Sequence, residues 1–215
     1  MQSIGLVSQK GGAGKTTLAI HLAVLAHNAG LRTVLVDCDP QRSAGKWWRR
    51  REAEEPVLVE TAARDLPAVL EAAAADGYDL AVVDTAPHAD AEATRAVRAV
   101  DLALIPCRPS SLDMDAVEAT VALVQAVGKP AAIVLNACPA GRGIAEAGLT
   151  SEAKRGLAQH GLPIVPVGVV QRVALSHALI DGRAVTEFEP EGKAAEEMTS
   201  LWRWCRAQEG REMAA

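Results

Sequence analysis

Seven short apolar runs recur along the chain, separated by stretches in which apolar residues return every three or four positions. The runs Ser3–Ser8, Thr33–Asp37, Val57–Glu60, Asp79–Asp84, Leu102–Pro106, Ala131–Asn136 and Ile164–Val167 predict strands. Several are continuous enough for a sheet buried on both faces. Between them the periodicity predicts helices over Lys15–Ala29, Asp65–Ala75 and Met114–Val127. Gly30, Gly77 and Gly128 stand where a helix ends in left-handed backbone. Strand–helix–strand alternation of this length implies an α/β fold: a mostly parallel, doubly wound sheet with helices on both faces and ligands at the carboxyl ends of the strands. A last helical pattern, Ala194–Gln208, aligns Met198, Leu201, Trp202 and Cys205 on one stripe and predicts a core-facing helix.

Composition narrows the class. With 215 residues and 49% hydrophobic content, a single globular domain spanning 1–215 is expected. No apolar run approaches the roughly 18 residues of a membrane span, and Met1 leads almost at once into strand-like residues without a signal-peptide pattern, so a cytoplasmic protein is expected. Cys38, Cys107, Cys138 and Cys205 lie far apart and read as reduced core thiols. The net charge of −5 neither indicates nor excludes a nucleic-acid partner. His21, His27, His160 and His177 show no metal spacing, and His88 reads as a mobile switch residue.

The chemistry concentrates in Ser8-Gln9-Lys10-Gly11-Gly12-Ala13-Gly14-Lys15-Thr16-Thr17, between the first strand and the first helix. Three glycines free the backbone to turn successive N–H groups around an anion, and the helix that follows points its positive end at the same place. Lys15 adds a charge near the terminal phosphates and Thr16 a hydroxyl for Mg²⁺. Two acidic turns follow strands: Asp37-Cys38-Asp39-Pro40-Gln41, and Asp84 opening Thr85-Ala86-Pro87. A carboxylate at a strand end beside a phosphate loop can hold Mg²⁺ directly or through its waters, and another can orient an attacking water.

The usual phosphate-loop pattern begins with glycine where this chain has Gln9, and it lacks a lysine at the position of Lys10. In that respect Lys-Gly-Gly-x-Gly-Lys-Thr-Thr resembles the deviant Walker A loop of the ParA/MinD family of ATPases. The later Asp-x-Asp-Pro-Gln and Asp-Thr-x-Pro turns resemble the family's switch I and its Walker B or switch II motif. The resemblance implies a P-loop NTPase with ATP and Mg²⁺ as cofactors. Nucleotide would be bound by Lys10, Gly11, Gly12, Ala13, Gly14, Lys15, Thr16 and Thr17, and metal by Thr16, Asp39 and Asp84. Catalysis would rest on Lys10, Lys15, Asp39 and Asp84, with Lys10 reaching across a homodimer to the partner's ATP. No strong base lies within the motifs, so hydrolysis to ADP and phosphate is expected to be slow and partner-stimulated. Asn136 and the segment Val170-Gln171-Arg172-Val173-Ala174-Leu175 resemble the family's base-contacting elements, which assigns Asn136, Gln171 and Arg172 to nucleotide binding. Ala178, Gly182 and Val185-Thr186-Glu187 continue the likeness.

By the same resemblance the chain is expected to be a small, ParF-like partition ATPase without the N-terminal DNA-reading extension of larger ParA proteins. It would dimerise on ATP, bind DNA non-specifically, associate with the nucleoid and respond to a ParB-like or other small DNA-binding partner. The cargo would be a plasmid, a chromosome region or a protein assembly. For the DNA patch the residues available late in the chain are Arg172, Arg183, Lys193, Arg203 and Arg206, of which Arg172, Arg183 and Arg203 come first, with Arg49 and Arg50 as a rival. The basic stretch Arg42–Arg51 otherwise reads as a solvated helix with Trp48 inward and its arginines paired to Glu52, Glu54 and Glu55. A MinD-like membrane-cycling ATPase is the alternative, but residues 172–215 hold six Lys/Arg against eight Asp/Glu, a poor match to anionic lipid. A cluster-assembly ATPase would want paired cysteines, which the sequence lacks.

Overall fold

The computed structural model describes residues 1–87, 90–141 and 147–209. His88 lies outside them. Among the described residues, six strands form one parallel sheet in the order β3-β2-β4-β1-β5-β6. They are β1 (Gln2–Leu6), β2 (Thr33–Asp37), β3 (Val57–Glu60), β4 (Leu80–Asp84), β5 (Leu102–Cys107) and β6 (Ala131–Leu135). The helices are α1 (Lys15–Asn28), α2 (Ser43–Trp48), α3 (Leu66–Ala75), α4 (Asp90–Ala99), α5 (Ser111–Val127), α6 (Gly148–Leu157), α7 (Val173–Ile180), α8 (Val185–Phe188) and α9 (Lys193–Glu209).

Alternation along the strands assigns each residue to a face. Leu80 and Val82 of β4 pack under α1 with Trp47, Val185, Met198 and Leu201, whereas Ala81 and Val83 pack under α3 and α4 with Leu66, Leu70 and Ala96. The other half of that second face joins Ile105, Ile133 and Leu135 to Val117 and Val121 of α5. Both faces are therefore dry, which is why the strands read as continuous apolar runs. The stripe Met198, Leu201, Trp202 and Cys205 on α9 is buried as its spacing predicts. Gly30, Gly77 and Gly128 all take positive φ after their helices. All four cysteines are buried and none is in a disulfide.

Two expectations need correction. Ile164–Val167 is not a strand: Ile164 makes one isolated parallel bridge to Ile133, and Val170 makes another to Cys138. Pro163 and Pro166 supply no N–H, so a ladder cannot continue through the segment. In the basic stretch, Trp47 and not Trp48 is the core residue; its indole N–H donates to the Arg183 carbonyl at 3.2 Å, while Trp48 is half-buried and donates to Pro56. Nor do the nearby glutamate carboxylates pair with the arginines. Arg49 pairs with Glu60 at 2.9 Å, and Arg51 makes two hydrogen bonds to Glu187, 136 residues away. Only the Glu55 carbonyl, which accepts from Arg51 Nε, comes from the local acids. The helix ends at Trp48, before Arg49, Arg50 and Arg51, so no helical i+4 spacing aligns them with Glu52, Glu54 or Glu55, and the tertiary fold supplies the acidic partners of Arg49 and Arg51.

Candidate nucleotide site

The loop between β1 and α1 is held in shape from three directions. Gly12 and Gly14 take φ of 76° and 96°, in the left-handed region. Asn136, just past β6, donates its amide to the Ala13 carbonyl at 2.8 Å, and a Cβ on Gly14 would lie 2.1 Å from that amide. The Gln9 N–H donates to the Thr120 hydroxyl of α5, and the Lys10 N–H to the Ser8 hydroxyl. Lys15 folds back over the loop, its ammonium donating to the carbonyls of Ser8 and Lys10 at 3.0 and 3.3 Å. Burial holds Lys15 below the usual lysine range, opposed by the charges of Asp84 and Asp39.

The two acidic turns arrive beside this loop because β1, β4 and β2 are neighbours. In register, Leu6 pairs with Asp84 and Asp84 with Asp37, so three consecutive positions across the sheet end at one level. The Thr85 hydroxyl donates to the Leu6 carbonyl at 2.7 Å, tying β4 to the start of the phosphate loop. Asp37 is fully buried and accepts from the N–H groups of Asp39 and Gly45, both at 3.0 Å. It thereby shapes the turn that presents Asp39. Arg42, in left-handed backbone at φ 51°, closes the same turn by donating to the carbonyls of Asp37 and Thr61. Burial pushes Asp37 up, and the two N–H groups pull it back.

Asp84 has zero exposure, and neither of its carboxylate oxygens has a hydrogen-bond partner. Burial pushes it up to about 7; Thr16 and Lys15 pull it down, the former from close by without a hydrogen bond of good geometry, while Asp37 and Asp39 push it up. A buried, unpartnered carboxylate costs several kcal/mol unless something compensates its charge. A carboxylate with a hydroxyl nearby is a donor pair suited to Mg²⁺, which keeps waters and takes few protein ligands. Among the described residues no cluster of three acidic, histidine or cysteine side chains forms an all-protein metal site.

In front of these groups lies a cavity of about 580 Å³, large enough for a nucleotide. Gly11, Gly12, Gly14, Lys15, Thr16 and Thr17 form its floor, with Asp39 at one side. Its far wall combines Trp47 and Arg50 of the α2 region with Leu179 and Ile180 of α7. Of the nucleotide and metal residues named from the sequence, Lys10, Ala13, Asp84, Asn136, Gln171 and Arg172 are not among its lining residues. Asn136 instead braces the loop from behind, the Gln171 N–H donates to the Cys138 carbonyl, and Arg172 is ion-paired to Glu197 at 2.7 Å. The three arginines named for DNA also differ. Arg172 and Arg183 each have an acidic partner, Glu197 and Asp181, while Arg203 is exposed. Sequence reasoning missed Arg108, Arg50 and the Leu179–Ile180 wall. None carries a spacing signature, and each reaches the cavity only through the packing of distant elements.

Residues 4–185 match the model of the CobQ/CobB/MinD/ParA nucleotide binding domain. The chain belongs to this family. Maintenance of carboxysome distribution protein A of Gloeobacter kilaueensis is 33% identical over 206 residues, covering 93% of this chain and 90% of that one. Protein ParA of Rhizobium radiobacter is 29% identical over 185 residues, covering 82% and 81%. The structure of the septum site-determining protein MinD of Pyrococcus horikoshii, complexed with Mg-ADP, superposes with a TM-score of 0.73 at 18% identity, covering 94% of each chain. The six-stranded parallel sheet is thus the P-loop fold of this family.

Proposed function

We propose that residues 1–215 form one ParA-type ATPase domain that dimerises around ATP and Mg²⁺, binds DNA without sequence preference in that state, and positions a cargo through partner-stimulated hydrolysis. The observation that carries the reading is the buried, unpartnered Asp84 carboxylate close to Lys15 and Thr16, the first two residues of the helix that follows the phosphate loop. That arrangement is costly in the empty protein and becomes favourable when a cation and polyphosphate arrive together.

Within the cavity, the N–H groups of Gly11–Thr17 cradle the phosphates, and Lys15 exchanges its carbonyl contacts for phosphate oxygens. Thr16, Asp39 and Asp84 would hold the Mg²⁺, which when bound would neutralise charge on the phosphate oxygens. Asp39, held by the Asp37 turn, orients the attacking water. Lys10, whose ammonium has no acidic partner among the described residues, completes the partner subunit's site. Asn136, Gln171 and Arg172, held by Ala13, Cys138 and Glu197 in the empty protein, are assigned to the base side of the nucleotide. The near-full-length relative named for carboxysome distribution favours a protein assembly as cargo, with a plasmid or chromosome region as the second reading. A membrane track is disfavoured because the apolar stripe of α9 is already buried in the core.

Light scattering with and without ATP·Mg²⁺, together with phosphate release in the presence of DNA, tests the proposal. Expected are a monomer that becomes a dimer with ATP and not ADP, and duplex binding that requires ATP and falls steeply with salt. A chain that hydrolyses ATP as a monomer and ignores DNA at low salt would refute the dimer and the DNA track together.

A further inference from the structure

We propose that Arg108 is an additional nucleotide-binding residue that holds the terminal phosphate of the ATP bound in its own subunit and makes the site prefer a triphosphate. The inference rests on the ATP-site reading and deepens it.

Arg108 follows β5, the neighbour of β1 on the side opposite β4, so its side chain enters the site from the flank that carries no acidic turn. Its guanidinium lies beside the loop: Nη2 is 3.9 Å from where a Cβ on Gly12 would stand, and the residue lines the same cavity as Gly11, Gly14, Lys15 and Thr16. Its main chain is fixed. The Arg108 carbonyl accepts from the Ser110 N–H at 2.8 Å and from the Cys107 thiol at 3.3 Å, and buried Pro109 follows. The exposed guanidinium, in contrast, has neither a hydrogen bond nor an acidic partner among the described residues.

That combination separates it from the other cations. Lys15 is committed to loop carbonyls in the empty site, Arg51 to Glu187, and Arg42 to two backbone carbonyls. Arg50 reaches the cavity from the far wall, with its Nε bonded to the Lys46 carbonyl. Gly12 lies upstream of Lys15 and Thr16, at the end of the loop away from the body of α1. A planar fork with five donors at that end matches the oxygens of a terminal phosphoryl group in a way that an ammonium does not. A diphosphate offers it nothing at that position, so its contribution discriminates between ATP and ADP.

Equilibrium binding of ATPγS and of ADP, both with Mg²⁺ and below the concentration at which the protein dimerises, gives the test. Arg108→Ala should weaken ATPγS by about tenfold or more and ADP by no more than about twofold, the range of one charge-assisted contact. Arg108→Lys should recover only part of the loss, and unchanged thermal melting in both variants excludes a folding defect. Equal affinities in wild type and Arg108→Ala, or equal losses for the two nucleotides, overturn the assignment. So does a loss seen only where the wild type is dimeric, since it would place the guanidinium on the partner's nucleotide. If wild type binds neither nucleotide, or Lys15→Ala binds as well as wild type, the nucleotide-site reading fails and takes this proposal with it.

Discussion

Asp84→Asn should stabilise the empty protein in a pH-dependent way. The carboxyl titrates at about 7 in the folded chain against the ordinary value of 3.8, because burial penalises its charge and no donor compensates it. A folded value above the unfolded one means that the group's contribution is fully present below pH 3.8. It is lost progressively as pH rises to about 7, and stays lost above that. At about 1.4 kcal/mol per pH unit, the loss between pH 4.5 and 8 has an upper bound of about 3 kcal/mol. Asparagine has no proton to lose, so its stability relative to wild type should rise by up to that amount over the interval. Any constant offset from its amide packing drops out of the comparison. The same holds for His21, whose buried ring is held down to about 4 and loses stability in the opposite sense, as pH falls from 6.5. Urea unfolding followed by circular dichroism in EDTA at pH 4.5, 6 and 8 gives the difference directly. A difference flat in pH would show that Asp84 is ionised in the empty protein and refute the reasoning. Saturating nucleotide with Mg²⁺ should cancel most of the difference, because wild type gains about 2.7 kcal/mol at a hundred times Kd, close to that upper bound.

Three further outcomes follow from the packing. Gly14→Ala forces φ of 96° on alanine and displaces the Asn136 amide, so ATP affinity should fall at least tenfold by isothermal titration, with about 1–3 kcal/mol lost in urea melts. Gly182→Ala would place its Cβ 2.5 Å from the Arg50 backbone, which cannot yield as a side chain would. It should cost more than about 2 kcal/mol and release α2 from the α7–α8 loop, read as new protease cleavage near residue 50. Arg51→Met leaves Glu187 without its main partner. Because that carboxylate keeps 24% exposure, the loss should lie at the lower end for broken buried pairs, about 3 kcal/mol by thermal or urea unfolding, and Glu187→Gln in the same background should restore part of it.

The local part of the molecule was legible in the chain because its physics is local. Apolar runs mark strands that must be buried, glycines at positive φ mark helix ends, and Lys10–Thr17 carries its own conformational requirements, so the fold class and the phosphate loop follow from neighbouring residues. Aspartates after strands are legible in the same way, as candidates. What only the tertiary structure decided is which groups meet. The order β2-β4-β1 sets Asp37, Asp84 and Leu6 side by side, and nothing in their sequence separations of 47 and 78 residues requires it. Asn136 reads as a base contact by likeness, yet in the fold it braces Ala13, because β6 ends level with β5 and places its amide behind the loop. Arg51 finds Glu187 instead of a nearby glutamate, and Trp47 displaces Trp48 from the core, because α7 and α8 cover one side of a helix too short to select its own buried face. Arg108 carries no pattern at all; it becomes part of the site through the adjacency of β5 and β1. Short-range sterics and burial write themselves into a sequence as periodicity, whereas the pairing of distant side chains depends on strand order and register, which many sequences of the same pattern satisfy in different ways.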